Sequence, residues 1–193
     1  MIVDDIFHQV PGSTTIEECY KLYEISKTVS SKNCIVEIGA NLGRSTCILG
    51  AGSHNGNNAL VYSIDLWNIP DSNRKAKYQA DTTFEKYKHY LQLMKVNDIV
   101  MFLRGNSAVI GKTWNTPIGM LFLDGDHSYE GVKKDFELYS SHVVKNGWIL
   151  FHDYNKAFPD VIQFVEEIAD AELIETVEIV NHLYVSRKQG GKR

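Results

Sequence analysis

Two hydrophobic rhythms alternate along this chain. Short, nearly continuous apolar runs at residues 35–38, 59–64, 99–103, 118–123 and 148–151 predict buried strands. Between them, apolar residues recur at helical spacing. Residues 14–29 predict a first helix, with Ile16, Tyr20, Tyr23 and Val29 on one face and Ser13 or Thr14 as its cap. Further helices are expected from Ser45, from Thr82 and from Tyr129. The second of these places Phe84, Tyr87, Leu91 and Met94 together and opens with Thr82 and Glu85 as a capping box; the third carries Val132, Phe136 and Tyr139. A helical turn is expected from Ser107, and Pro159 suits the first turn of a helix with Val161, Val165 and Ile168 inward. Residues 173–180 and 183–186 read as two closing strands, paired as a hairpin about Asn181. Residues 1–12 read as a lead-in ending at Pro11-Gly12, and 188–193 as a frayed tail.

Strands that alternate with helices and are apolar on both faces imply an α/β fold, a doubly wound and mostly parallel sheet in a single domain over residues 1–193. Ligands of such sheets sit at the carboxyl ends of the strands. The polar clusters of this chain fall there: residues 39–45 after the first strand, Asp65 after the second, Gly105-Asn106-Ser107 after the third, residues 124–127 after the fourth, and His152-Asp153 after the fifth. The first cluster holds Gly39 and Gly43, four apart, with Glu37 two positions earlier. Glycine lets backbone approach a ligand closely, and the start of the following helix offers unpaired N–H groups. The spacing is not that of the Gly-x-Gly-x-x-Gly dinucleotide loop. Residues 66–80 carry Trp67, Pro70 and Tyr78 without a clear period. Residues 66–95 therefore read as a lid followed by its helix.

Composition narrows the classes. The chain has 193 residues, 44% of them hydrophobic and 23% charged, as expected of a globular domain. A net charge of −4 disfavours a non-specific grip on nucleic acid. No apolar run approaches the ~20 residues of a membrane span, and the first residues lack the basic and apolar segments of a secretion signal. Cys19, Cys34 and Cys47 lie in apolar surroundings without a Cys-x-x-Cys. They read as reduced core thiols, and the compartment as the cytoplasm.

Taken in order, Glu37-Ile-Gly-Ala-Asn-Leu-Gly-Arg-Ser-Thr46, Ile64-Asp-Leu-Trp67, Gly105-Asn-Ser107, Leu121-Phe-Leu-Asp-Gly-Asp-His-Ser-Tyr-Glu-Gly-Val132 and Gly147-Trp-Ile-Leu-Phe-His-Asp-Tyr154 resemble the class I S-adenosylmethionine-dependent methyltransferases. Among these the chain is most similar to small bacterial O-methyltransferases of the catechol and macrocin types. The resemblance spans about residues 14–186. It implies a seven-stranded Rossmann-like methyltransferase sheet whose last strand is antiparallel. It also implies that Glu37, Gly39, Ala40, Asn41 and Gly43 hold the amino-acid end of the cofactor and that Ser45 binds its carboxylate. Asp65, followed by Leu66 and Trp67, would accept the ribose hydroxyls, Gly105, Asn106 and Ser107 would lie beside the adenine, and Asp124 would meet the methionine amine or a metal.

Methyl transfer from a sulfonium needs an aligned nucleophile and a way to remove its proton. In the catechol-type enzymes carboxylates after the fourth and fifth strands hold a divalent cation. Asp124 and Asp153 match those positions, an oxygen pair suited to Mg²⁺ or another divalent cation. The Asn that follows the second carboxylate in those enzymes is Tyr154 here, with Asn155 one further on. The two carboxylates could instead serve the cofactor amine and the local loops. His127 stands where those enzymes have a catalytic lysine and is the candidate general base, so that His127, Asp124 and Asp153 form the expected catalytic set; His127 could instead cap the following helix. Asp126 could assist His127 or a metal. His152 alternates with Asp153 and is expected to face away from it.

Trp67 and Tyr78 suggest a flat or apolar small-molecule acceptor, and neither nucleic acid nor membrane is an expected partner. The sequence leaves the oligomeric state open, a homodimer included. Two other readings compete. Asp124-Gly-Asp126 imitates the Asp-x-Asp motif of metal-dependent nucleotide-sugar glycosyltransferases, and the chain could be a catalytically silent, cofactor-binding partner subunit.

Overall fold

The computed structural model describes residues 2–67 and 80–189. Its strands are β1 (Cys34–Ile38), β2 (Val61–Asp65), β3 (Val100–Arg104), β4 (Ile118–Leu123), β5 (Val143–Phe151), β6 (Ile174–Val180) and β7 (Leu183–Lys188). They form one seven-stranded sheet in the order β3-β2-β1-β4-β5-β7-β6. The pairs from β3 to β5 are parallel, and β7 runs antiparallel to both β5 and β6. The expected sheet is therefore present. Its order reverses between β1 and β4, and a crevice opens at such a reversal.

Helices α1 (Ile2–Gln9), α2 (Ile16–Thr28), α3 (Arg44–His54) and α4 (Ala80–Leu93) pack on one face of the sheet. Helices α5 (Ser107–Gly111), α6 (Tyr129–Tyr139) and α7 (Pro159–Asp170) pack on the other. Alternation along β1 divides the two cores: Ile35 belongs to the first, Val36 and Ile38 to the second.

Several local expectations need correction. Residues 2–9 form a helix rather than a lead-in. Val3, Ile6 and Val10 are buried at helical spacing, and Asp4 and Asp5 favour the helix start. The cap of α2 is Thr15, not Ser13 or Thr14: its hydroxyl accepts Glu18 N–H while Glu18 accepts Thr15 N–H, a complete capping box. The buried stripe of α2 runs through Glu18, Cys19, Leu22, Ile25 and Ser26, with Tyr20 and Tyr23 at its margin. Helix α4 begins at Ala80, so Thr82 and Glu85 stand inside it rather than at its cap. Residues 145–147 are not a turn before β5 but a bulge within it. Asn146 has φ +60°, and the register against β4 shifts there. Residues 188 and 189 are tied down: the Lys188 ammonium donates to the carbonyls of Ser140, Ser141 and Val143, and Gln189 N–H to that of Leu173. The expected lid, including Tyr78, lies largely outside the described residues. No helix among the described residues is long and apolar enough to cross a membrane.

Candidate active site

A cleft of about 550 Å³ opens over the carboxyl ends of β1, β2 and β3, within the range of small-ligand sites. Gly39, Asp65, Leu66, Gly105, Asn106 and Ser107 line it, and His127 forms part of its wall. Six of the residues expected to meet a cofactor are thus brought to one cavity.

The loop after β1 is shaped by its neighbours. Gly39 has φ +92°, and a Cβ there would stand 1.9 Å from the carbonyl oxygen of Asp124. The absent side chain allows the ends of β1 and β4 to touch. Gly43 has φ +95°, and a Cβ there would stand 2.8 Å from the Tyr87 ring of α4, on the side away from the cleft lining. Asp65 steadies the same loop: one carboxylate oxygen accepts Asn41 N–H at 2.9 Å and the other accepts Trp67 N–H at 2.9 Å. Each oxygen keeps a further lone pair for a ligand hydroxyl. The Trp67 indole N–H donates to the Asn41 carbonyl, closing the ring of contacts.

Trp67 itself is 2% exposed, with its ring against Tyr87 and Phe84. It supports the loop from behind, which corrects the expectation that its ring meets cofactor or acceptor. Its φ of +35° turns the chain so that the ring enters the core. Ala40, Gly43 and Ser45 are also buried and stand outside the cleft lining.

Glu37 is enclosed beneath the loop. Thr46 and Ser63 donate to its Oε2, and Oε1 has no hydrogen bond. Burial pushes its carboxyl up to about 7, against the pull of the hydroxyls of Ser45, Thr46 and Ser63. It therefore shapes the loop from within the core and contributes nothing to the cleft wall.

At the other end, Asn106 caps α5 by accepting Val109 N–H, and Ser107 donates to Asp135 at 2.6 Å. Asp135, which also lines the cleft, was not anticipated. Its signal was legible: it is a charged residue on the apolar stripe of α6, beside Val132, Phe136 and Tyr139. Burial raises its carboxyl to about 6.

Beside the cleft stand Asp124, His127, His152 and Asp153. His152 was expected to face away, yet its Nδ1 lies 3.2 Å from Asp124 and 3.5 Å from Asp153. Strand alternation ends at Phe151, and Asp153, at φ +58°, turns its carboxylate back toward its neighbour. The other ring nitrogen, Nε2, lies 3.2 Å from Glu18 of α2, a residue sequence reasoning missed. Burial opposes charge on His152, but hydrogen bonds with Asp124, Asp153 and Glu18 outweigh it and push the imidazole up to about 12. His127 Nε2 is buried 2.8 Å from Asp153 and 3.7 Å from Asp124, without hydrogen-bond geometry to either. The facing carboxylates of Asp124 and Asp153 raise it to about 9. Burial would raise Asp153, but His127 and His152 hold it well below the usual carboxylate range.

Asp124, His152 and Asp153 present ligand atoms within 4.8 Å of one another, so they fit a divalent cation. Asp126 does not join them. Its carboxylate accepts Ser128 N–H and packs on Gly131. Asp124 and Asp126 thus have different partners, Asp124 facing His152 and Asp126 the start of α6.

With this geometry in view, the comparisons agree. A family model described as a methyltransferase domain matches residues 36–154. Over 53 residues the chain is 45% identical to the uncharacterized protein R132 of Acanthamoeba polyphaga mimivirus; the match covers 26% of this chain. The chain spans only 24% of the length of that relative. Among solved structures, the O-methyltransferase NovP superimposes with a TM-score of 0.73 at 18% identity, over 91% of this chain and 81% of NovP. The O-methyltransferase from Bacillus cereus, solved with S-adenosylhomocysteine, gives 0.70 at 13% identity, over 97% and 90%. An rRNA methylase from Streptococcus thermophilus gives 0.64 at 12% identity, over 93% and 100%. Likeness at these identities is likeness of fold, and the fold accommodates different acceptors.

Proposed function

The chain belongs to the methyltransferase domain family, and from that membership we propose that it moves a methyl group from S-adenosylmethionine to an oxygen of a small-molecule acceptor, assisted by a divalent cation. The observation that carries the reading is the alignment of two sites along one crevice. The cleft between Gly39, Asp65 and Ser107 runs to His127, and His127 stands between the carboxylates of Asp124 and Asp153.

The chemistry follows from what each residue offers. Asp65 keeps acceptor capacity on both oxygens, which suits a ribose diol. The Ser107 and Asn106 end suits the adenine. The sulfonium would then point toward the His127 end, where displacement needs the acceptor oxygen in line with the methyl carbon. A bound divalent cation would supply Lewis acidity to the acceptor hydroxyl. Asp124 and Asp153 offer the charge to hold it. The carboxylates of Asp124 and Asp153 favour the protonated form of His127; a cation held by them would weaken that pull and leave the ring freer to accept the acceptor's proton.

A small acceptor is favoured over nucleic acid by the net charge of −4, although rRNA methylases share the fold. Calorimetric titration with S-adenosylhomocysteine is the first test. Micromolar binding that weakens in Asp65→Ala is the expected result. No binding with or without divalent cation would overturn the reading. Binding without turnover on phenolic, sugar or nucleic-acid acceptors would leave a cofactor-binding partner subunit in its place.

A further inference from the structure

The reading above places a divalent cation beside Asp124 and Asp153; resting on it, we propose that His152 is the third ligand, through Nδ1, and that Glu18 holds its ring so that the site takes a first-row transition cation such as Mn²⁺ or Co²⁺ in preference to Mg²⁺.

Three observations carry this. The first is convergence: Nδ1 of His152 and the carboxylates of Asp124 and Asp153 fall within 4.8 Å of one another. The two aspartates are largely buried, at 12% and 15% side-chain exposure, and His152 is at 2%. This is an enclosed cluster of nitrogen and oxygen donors, not an exposed acidic patch.

The second is the partner behind the ring. Nε2 of His152 faces Glu18 Oε2 at 3.2 Å. A hydrogen bond there keeps an N–H on Nε2, so a bound cation would replace only the Nδ1 proton that otherwise faces the aspartates. Histidine ligands of metals are characteristically backed by a carboxylate in this way. Glu18 is itself held by two backbone donors: Oε2 accepts Thr15 N–H at 2.7 Å, and Oε1 accepts His182 N–H at 2.8 Å. The ring is thus held from α2 and from the turn before β7 together.

The third is charge. Among the described residues, the carboxylates of Glu18, Asp124 and Asp153 are paired with two imidazoles, His127 and His152. Even with both rings charged, the cluster carries an uncompensated negative charge in a largely buried place, where a divalent cation gains most. An imidazole ligand moves preference from Mg²⁺, which favours all-oxygen surroundings, toward Mn²⁺, Co²⁺ and their neighbours.

The test uses the full chain stripped with chelator. Calorimetry with CoCl₂ and MgCl₂ is expected to give Co²⁺ binding at least ~10-fold tighter than Mg²⁺. Glu18→Gln should weaken Co²⁺ about 10- to 100-fold, and His152→Asn should weaken it further. Pulsed electron paramagnetic resonance of bound Mn²⁺ is expected to show coupling to a nitrogen, and the coupling should persist in His127→Ala. That last comparison stands even if His152→Asn fails to fold. Absence of nitrogen coupling, its loss in His127→Ala, or equal affinity for Mg²⁺ and Co²⁺ would overturn the assignment. Titration of the same samples with S-adenosylhomocysteine separates the two readings. Cofactor binding without metal binding sinks the cation site alone; metal binding without cofactor binding supports the site and sinks the methyltransferase reading.

Discussion

Glu18 and His152 are 134 positions apart in the chain, and their side chains meet at 3.2 Å with neither exposed by more than 2%. The contact joins the first turn of α2 to the end of β5, so the cluster of Asp124, His152 and Asp153 depends on a helix far away in sequence. Removing one partner of a buried charged pair leaves the other uncompensated. Glu18→Ala also removes the capping box of α2. We expect Glu18→Ala to lower stability by about 3–5 kcal/mol in chemical denaturation. A loss below ~1 kcal/mol would mean that the pair is not buried as described.

Asp65 has two duties, which substitution should separate. It fixes Asn41 and Trp67 through their backbone N–H groups, and it faces the cleft. Asp65→Ala is expected to cost about 1–3 kcal/mol of stability through the two lost charge-assisted hydrogen bonds. Affinity for S-adenosylhomocysteine should fall at least ~10-fold by calorimetry. Unchanged affinity in a folded variant would count against any contact with the cofactor.

The two glycines at the cleft should respond differently to alanine. At Gly39 a Cβ would meet backbone at 1.9 Å, and φ is +92°. Gly39→Ala is therefore expected to cost ~3 kcal/mol or more, or to prevent folding. At Gly105 the nearest atom is the end of the Ile110 side chain at 3.2 Å. Gly105→Ala should stay within about 1 kcal/mol of the parent. Denaturation midpoints of both variants decide the matter.

Glu37 should make stability depend on pH. Its carboxyl is raised from 4.5 to about 7 by burial. The folded state therefore binds this proton more tightly than the unfolded state. The associated stability is fully present below pH 4.5, falls as pH rises toward 7, and is absent above it. The span is on the order of 3 kcal/mol. Glu37→Gln should flatten this slope between pH 4.5 and 7 in urea denaturation. An identical slope in both proteins would show that folding does not raise the Glu37 carboxyl.

Chelation should act on chemistry and not on cofactor binding. Asp124 and Asp153 stand beside the cleft, whereas the residues expected to hold the nucleoside line it. Once an acceptor is known, treatment with chelator is expected to lower kcat by at least ~100-fold while the Kd for S-adenosylhomocysteine changes less than ~3-fold. Full turnover in chelator would remove the cation from the mechanism.

Much of this protein is determined by the sequence alone, because its signals are local. Apolar runs and helical periods depend on neighbours a few residues away, and they suffice for the sheet, most helices and the strand-end position of the polar clusters. The capping box at Thr15 and Glu18 and the spacing of Val3, Ile6 and Val10 are equally local and could have been read. Only the tertiary structure decided which side chains face the cleft. Trp67 follows the cleft residue Leu66 and still points into the core, because its left-handed backbone redirects the chain; Glu37, by contrast, faces the core through the alternation of β1 with Ile35. The left-handed Asp153 likewise overrides strand alternation and brings His152 and Asp153 together. The partner of His152 is Glu18, and no local pattern carries a contact across 134 residues. It exists because the sheet order places the end of β5 beneath the start of α2, where both side chains are buried.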